Sequence, residues 1–234
     1  MKKIPDIPDP SIYTEAAFID SGFVELVSND LWDVKMMYPL LGMKNAESRC
    51  FMRKEAYAKL TEAAKRLPEG YRFRIWDAWR PFALQQELFR EYAEDIIAKF
   101  NLEDCDNSTK SAYVSKFVSP PVNDEDVPPA HTTGGAVDLT ILDPQGKELD
   151  MGSGFDEFTD RTHTAYYEST DSDDRSRTIR ENRRLLYHVM TESGFTNLPS
   201  EWWHYDYGDR FWAYYTNQPA LYRGVFTGEG IYEH

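Results

Sequence analysis

The sequence of 234 residues has only two cysteines, Cys50 and Cys105, and they do not form a CxxC pair. Two cysteines cannot complete a zinc site built from cysteine alone, and they allow at most one disulfide. We expect two isolated thiols in a reducing compartment, the cytoplasm. A signal peptide is also not expected, because the opening segment MKKIPDIPDPSIY has two lysines but no apolar stretch after them.

Long apolar runs and an excess of basic residues are missing as well. Mean hydropathy is -0.63, and no stretch approaches the roughly 20 apolar residues that span a bilayer. The chain has 26 Lys and Arg against 40 Asp and Glu, for a formal net charge of -14. This charge repels nucleic-acid phosphates and anionic membranes, so we expect neither as a partner. The oligomeric state stays open.

The apolar residues present, 41% of the chain with 15% aromatic, are sufficient for a core. Their spacing predicts helices over residues 53–70, 81–100 and 177–194, and strands over 71–76 and 134–143. WWHYDYGD and FWAYYTN predict an aromatic hairpin around Gly208 and Asp209, whereas the polar segments 101–130 and 160–177 indicate exposed loops.

Helices and strands do not alternate regularly along this sequence. We therefore expect a single α+β domain with a central antiparallel sheet flanked by helices. Residues 1–30 are expected to form an arm packed on the body, residues 31–207 the main domain, and residues 208–234 a C-terminal extension of the same domain.

The segment HTTGGAVDL places His131 seven residues before Asp138. Glycines at 134 and 135 lie between them and allow the backbone to turn tightly. In a strand that begins near residue 135, Asp138 faces away from Val137 and Leu139, which point into the core. A carboxylate among apolar neighbours is costly unless it is paired or binds a metal.

The segment EWWH places Glu201 three residues before His204. Taken alone, it is typical of a buried histidine satisfied by a neighbour. Two imidazoles and one carboxylate, however, are ligands of a catalytic zinc site with one open position. Such a set would be supplied by His131, Asp138 and His204, with one Zn²⁺ per chain on the sheet face. Glu201, just before the strand, could then act as general base without ligating the metal.

These motifs resemble the HxxGxAxD and ExxH pair of the zinc D-alanyl-D-alanine dipeptidases of the VanX type. WDAWRP, MGSGFDEF and NRRLL resemble further motifs of that family, and all follow the family order over roughly residues 30 to 206. The resemblance implies three zinc ligands, namely His131, Asp138 and His204. It also implies Glu201 as catalytic base, Arg80 as the group that stabilises the developing oxyanion, and Asp156 as the carboxylate that holds the free ammonium of the dipeptide.

His163 matches a family histidine and is expected either to support this site from outside or to lie on the surface. Trp203 is expected to support the site as part of the core and the pocket wall. The sequence departs from the family at Pro129, where serine is common, and at Met36, where a pocket tyrosine is found, although Tyr38 is close. These departures leave the zinc chemistry intact and bear on which dipeptide is preferred.

The function implied by the resemblance is zinc-dependent hydrolysis of D-alanyl-D-alanine, or of a closely related D,D-dipeptide, in the cytoplasm. One alternative is a D,D-carboxypeptidase or peptidoglycan endopeptidase of the same superfamily. Asp156 disfavours it, because a carboxylate placed for a free ammonium penalises a blocked N-terminus. A second alternative is a non-catalytic zinc-binding interaction module, which would need neither Glu201 nor Arg80. The sequence leaves open a role in glycopeptide resistance, recycling or wall turnover.

Overall fold

A computed structural model describes residues 1–11, 13, 15–115, 118–157, 159–169, 173–229 and 231–232. Short 3₁₀ turns occur at Ala130–Thr133, Asp160–Thr162 and Tyr166–Glu168. The described helices include none that is both long enough and apolar enough to cross a membrane. The helices and strands follow in the order β1 (Phe23–Leu26), β2 (Trp32–Val34), α1 (Met37–Leu40), β3 (Cys50–Arg53), α2 (Lys54–Ala64), β4 (Arg72–Asp77), α3 (Phe82–Lys99), α4 (Asn107–Val114), β5 (Ala136–Leu142), α5 (Asp174–Thr191), β6 (Thr196–Asn197), β7 (His204–Asp206) and α6 (Arg210–Thr216).

The centre of the fold is a five-stranded sheet in the order β2-β4-β5-β7-β6. This confirms the predicted α+β class with a central sheet and flanking helices. The sheet is not purely antiparallel, because β2 runs parallel to β4 while the other neighbours are antiparallel. The chain between β2 and β4 contains α1, β3 and α2, a connection long enough to return in the parallel direction. Strands β1 and β3 form a separate antiparallel pair.

The main core lies between one face of this sheet and helices α2 and α5. Leu60 of α2 and Leu186 of α5 are fully buried there. The two central strands contribute alternate residues to the same cluster, namely Phe73, Ile75, Val137, Leu139 and Ile141. Asp138, between two of these, therefore lies on the opposite face, as the predicted alternation requires.

The predicted aromatic hairpin is wrong in its second half, because residues 210–216 form helix α6 and not a strand. The Asp209 carboxylate caps this helix by accepting a hydrogen bond of 2.9 Å from the backbone N–H of Trp212. Helical geometry then buries the adjacent residues Trp212 and Ala213 together against Ala220. In an extended strand these two neighbours would face opposite sides.

The prediction of a loop over residues 101–130 is also corrected, since helix α4 lies within it. Asp106 caps α4 and accepts a hydrogen bond of 2.9 Å from the backbone N–H of Thr109. This helix buries little besides Val114. Its apolar periodicity is accordingly weak, and the capping residue is the main signal for it in the sequence.

The described part of the segment 160–177 is less exposed than predicted, and α5 begins at Asp174 instead of residue 177. Thr162 and Thr164 are buried, and the backbone of this segment hydrogen-bonds to residues 199 and 202, next to the EWWH motif. The guanidinium of Arg183, only 2% exposed, donates to three backbone carbonyls, those of Met151, Arg161 and His163. The buried guanidinium thus satisfies backbone carbonyls of a segment whose polar composition alone predicts exposure to solvent.

The described part of the segment 1–30 contacts the rest of the chain at several positions. Ile4 is buried, Ala16 forms a bridge with Ala220, and β1 pairs with β3. The proposed division of the chain at residues 30 and 207 stays a prediction.

The turn that joins Ala130–Thr133 to β5 determines how closely His131 approaches Asp138. Gly134 adopts a left-handed conformation with φ +76, and a Cβ there would lie 2.3 Å from the ring of Phe23. Arg53 holds the same turn, because its Nε donates to the Thr133 carbonyl at 2.8 Å. The tight turn predicted from the glycines is therefore confirmed.

We expect Gly134→Ala to destabilise the protein by about 2 to 5 kcal/mol, measured by urea unfolding. The left-handed conformation of alanine costs roughly 1 to 2 kcal/mol, and the overpacking against Phe23 adds about 1 to 3 kcal/mol. Gly42→Ala is the matched control, because Gly42 has φ +82 but a Cβ added there would meet no atom within 4 Å. Equal losses in both variants would contradict the role of Phe23 packing.

Candidate metal centre and active site

Three polar side chains lie side by side across the sheet. Asp138 on β5 is the register partner of His204 on β7 and of Asp77 on β4. The register of β4 shifts between Ile75 and Asp77, and this irregularity brings Asp77 level with Asp138. Bulges of this kind redirect side chains beside active sites. Strand pairing thus assembles the row without any contribution from loops.

His131, Asp138 and His204 converge on one point of this face. His131 Nε2 lies 3.1 Å from His204 Nδ1 and 3.3 Å from Asp138 Oδ2, while His204 Nδ1 lies 3.0 Å from Asp138 Oδ1. The three residues are 5%, 2% and 4% exposed, in sequence order. Atoms bound to one tetrahedral zinc at about 2.0 to 2.2 Å lie roughly 3.3 to 3.6 Å apart, a few tenths of an ångström beyond the distances here. The donor types and their spacing therefore fit a zinc ion.

Both imidazole rings are held from the side opposite to this point. His131 Nδ1 lies 2.8 Å from the Ala78 carbonyl, and His204 Nε2 lies 2.7 Å from Asp206 Oδ1. In a neutral ring, the nitrogen that donates to such an oxygen leaves the other nitrogen with its lone pair. The lone pairs of His131 Nε2 and His204 Nδ1 are thereby directed at the space beside Asp138.

Buried carboxylates give this face a surplus of negative charge. Burial acts to raise the pKa of Asp138, but His131 and His204 hold it well below its usual range. Burial acts to lower the pKa of His204, yet Asp206 and Asp138 raise it well above its ordinary value. Asp209, next to Asp206, has a pKa raised by burial and by that neighbour. Such a site favours a cation, whether a proton or a metal ion.

Arg80 follows β4 and is almost fully buried. Its guanidinium donates to Asp77 Oδ2 at 2.9 Å, to Gln85 Oε1 at 2.8 Å and to the Tyr38 hydroxyl at 3.1 Å. Nη2 lies 3.8 Å from Asp138 Oδ2. Burial acts to lower the pKa of Arg80, but Tyr38 and the carboxylates raise it above its ordinary value. The site therefore contains a permanent, oriented positive charge next to the three convergent ligands.

Glu201 lies in the turn immediately before β7, where its spacing to His204 places it. Its Oε2 is 3.9 Å from His204 Nδ1, and its side chain is 22% exposed. Burial raises the pKa of Glu201 to about 8, with Asp138 and Asp156 adding to the shift and His204 and Arg80 opposing it. A bound metal ion would lower this pKa through its positive charge. Glu201 is thus a carboxyl group that can exchange protons near neutral pH.

Asp156 lines the same cavity, which the convergent ligands, Arg80 and Glu201 also line and whose space of about 490 Å³ includes open solvent. Its Oδ2 accepts hydrogen bonds from the hydroxyls of Tyr38 at 2.9 Å and Tyr92 at 2.7 Å. Burial raises the pKa of Asp156 to about 6, against the lowering effect of the two hydroxyls and of Arg80. An ammonium group bound there would restore the ionised form.

His163 and Trp203 line a larger outer cleft of about 1860 Å³, partly open to solvent, which Asp156 and Glu201 also border. The exposed His163 ring lies 3.1 Å from the Asp160 carbonyl, and the structure does not bring it into contact with the three convergent ligands. The indole nitrogen of Trp203 is buried and has no hydrogen-bond partner in the described part of the chain. Phe158 of the MGSGFDEF motif and the terminal His234 lie outside the described residues.

The two departures noted in the sequence occupy different surroundings. Pro129 lines the inner cavity, whereas Met36 is buried in the main core. Tyr38, two residues after Met36, lines the inner cavity and contacts both Arg80 and Asp156.

Sequence reasoning missed three residues that contact the site, Asp77, Tyr92 and Asp206. Asp206 carries the clearest signal, because it follows His204 by two residues and so shares its strand face. Tyr92 is less conspicuous, since helical spacing places it in line with the buried Leu84 and Leu88, where a tyrosine is expected to serve only as core.

Comparisons with known proteins find a matching family and similar sequences. A family model described as D-Ala-D-Ala dipeptidase matches residues 39–221. A D-alanyl-D-alanine dipeptidase of Synechocystis is 35% identical over 156 residues, covering 62% of this chain and 62% of the relative. One from Escherichia coli is 30% identical over 166 residues, covering 68% of each. The alignment thus spans less than two thirds of the Synechocystis relative.

A crystal structure of the vancomycin-resistance D,D-pentapeptidase VanY in complex with Zn(II) is 16% identical to this chain. The structural match covers 76% of this chain and 85% of the VanY chain, with a TM-score of 0.40. The family match extends over most of the sequence and includes the three convergent ligands, His131, Asp138 and His204. This chain belongs to the D-Ala-D-Ala dipeptidase family.

Proposed function

We propose that this protein hydrolyses D-alanyl-D-alanine, or a closely related D,D-dipeptide, in the cytoplasm. We propose further that it uses one zinc ion per chain, bound by His131, Asp138 and His204. The observation that carries the proposal is the convergence of two imidazole lone pairs and a carboxylate in the cavity that also contains Glu201 and Arg80. Membership of the dipeptidase family supports the same reaction.

Zinc, when bound, supplies a Lewis acid that polarises the scissile carbonyl and makes water more acidic. Glu201 accepts the proton of the attacking water and passes it to the leaving amine, which a partly buried carboxyl group with a raised pKa can do near neutral pH. Arg80 stabilises the negative charge that develops on the carbonyl oxygen, and its contacts with Asp77 and Gln85 fix its orientation before reaction.

Asp156 is proposed to bind the free ammonium of the substrate. An N-acylated dipeptide would lose this ion pair and leave a desolvated carboxyl group without a partner, at a cost of about 1 to 3 kcal/mol or more. A non-catalytic zinc-binding module is less well supported, because it requires neither Glu201 nor Arg80. The outer cleft favours a D,D-carboxypeptidase, since it offers space for a longer peptide.

The zinc-loaded protein should hydrolyse D-Ala-D-Ala with a much higher kcat/KM than N-acetyl-D-Ala-D-Ala, and should not cleave a pentapeptide that ends in D-Ala-D-Ala. The ion pair at Asp156 is the physical reason for this order. Release of D-alanine, measured for each peptide and for L-Ala-L-Ala, tests it. Similar kcat/KM values for the free and acetylated dipeptides would instead support the carboxypeptidase.

Glu201→Gln should keep one zinc per chain while lowering kcat by about 10² to 10⁴, the usual contribution of a general acid-base group. His204→Ala should lose zinc as well as activity, since it removes a ligand. Elemental analysis of dialysed protein and the rate of D-Ala-D-Ala hydrolysis distinguish the two effects. The control is His188→Ala, on α5, whose ring bonds to the Lys2 carbonyl and which should keep both. Loss of zinc in Glu201→Gln would make Glu201 a ligand and contradict its role as a base.

A further inference from the structure

We infer that Tyr92, together with Tyr38, determines the selectivity for a free amino terminus by fixing Asp156 in the orientation that accepts an ammonium group. The inference rests on the proposed function, in which Asp156 binds the substrate ammonium. Tyr92 and Tyr38 are positioning residues in this account, because they act on substrate through the carboxylate.

Both tyrosine hydroxyls contact the same oxygen of Asp156. Tyr38 lies 2.9 Å and Tyr92 2.7 Å from Oδ2. Within the described part of the chain, Oδ1 accepts no hydrogen bond. A carboxylate oxygen has two lone-pair sites, so the two hydroxyls occupy Oδ2 fully. This arrangement leaves Oδ1 as the oxygen available to a cationic ligand.

The direction of these hydrogen bonds follows from the neighbouring groups. The Tyr38 hydroxyl oxygen accepts from Arg80 Nη2 at 3.1 Å, so its single proton is free to be donated to Asp156. Burial raises the pKa of Tyr38 and of Tyr92 above the ordinary value for tyrosine. Both hydroxyls therefore remain protonated donors, and both favour the ionised carboxylate that an ammonium requires.

The backbone at Asp156 does not hold the side chain by itself. Asp156 is one of the few described non-glycine residues with positive φ, at +53, a conformation that costs energy and persists only where surrounding contacts enforce it. The preceding Phe155 packs against Tyr38, Trp76 and Trp203, with ring centroids 5.2 to 5.7 Å apart. The two hydroxyls add the restraint on the carboxylate itself, from α1 and α3.

Tyr38 also contacts the oxyanion end of the site. Tyr38 joins Asp156 to Arg80, and its ring lies 4.9 Å from the guanidinium carbon. Removing its hydroxyl therefore disturbs both the ammonium end and the oxyanion end of the site. Tyr92 reaches Asp156 from α3, and removal of its hydroxyl changes the ammonium end. The two substitutions should accordingly have different kinetic signatures.

The test compares zinc-loaded wild type, Tyr92→Phe and Tyr38→Phe with D-Ala-D-Ala and N-acetyl-D-Ala-D-Ala as substrates. In Tyr92→Phe we expect KM for the free dipeptide to rise about tenfold with kcat within about twofold, as for loss of one hydrogen bond to a charged group. The ratio of kcat/KM for free over acetylated dipeptide should fall by about the same factor. Tyr38→Phe should lower kcat for both substrates in addition.

Tyr57→Phe is the matched control, because Tyr57 lies on α2 with its ring 5.5 Å from that of Trp32, and it should change neither parameter. Zinc content and the urea midpoint, measured on each variant, separate misfolding from a local effect. An unchanged KM and ratio in Tyr92→Phe would overturn this inference while wild-type hydrolysis of D-Ala-D-Ala still upheld the proposed function. In Tyr92→Phe, an equal loss of kcat for both substrates with an unchanged KM would also overturn it. A wild type that cleaves neither dipeptide would refute the proposed function and the inference together.

Discussion

The carboxylate of Asp138 is removed from water on the central strand of the sheet, and the surrounding elements are arranged to compensate for that burial. An isolated buried carboxylate would cost several kcal/mol or would bind a proton. Here β7 places His204 at the paired position, and the turn at Gly134 brings His131 to the other side. Each imidazole ring is oriented by a hydrogen-bond acceptor on the side opposite to Asp138. The two rings and the carboxylate are therefore held facing one another.

The same face carries more negative than permanent positive charge. Asp77, Asp138 and Asp206 are all buried there. The neighbouring Arg80 is always cationic. Asp77 is neutralised by Arg80 at 2.8 Å, which leaves Asp138 and Asp206 to the imidazoles. A divalent cation completes this balance better than protons do, because it can draw on both imidazole lone pairs and the carboxylate together. The arrangement thus links the fold of the sheet to the proposed chemistry.

Much of this organisation can be predicted from the sequence because it follows from periodicity. The alternation of YRFRIW places Phe73 and Ile75 in the core, and the alternation around Val137 places Asp138 on the opposite face. The spacing of Glu201 and His204 likewise predicts that Glu201 precedes the strand. Each of these inferences needs only the local period of a strand.

The features that escaped prediction depend on tertiary contacts or compete with a local pattern. The shift in register that brings Asp77 to Asp138 has no local sequence signal, since it is a property of two paired strands. FWAYYTN has the aromatic composition of a strand, but the cap at Asp209 and the joint burial of Trp212 and Ala213 favour a helix. Tyr92 could not be predicted as a site residue, because its position on the helix is that of a core residue. Only the tertiary fold brings Asp156 to the Tyr92 hydroxyl.

The most direct test of this account is a crystal structure of the zinc-loaded protein with anomalous data collected at the zinc edge. The account predicts one strong anomalous peak per chain, about 2.0 to 2.2 Å from His131 Nε2, His204 Nδ1 and a carboxylate oxygen of Asp138. Nδ1 of His131 should still lie against the Ala78 carbonyl, and Nε2 of His204 against Asp206. A peak on Asp77 or Asp206, or on the opposite nitrogen of either ring, would contradict it.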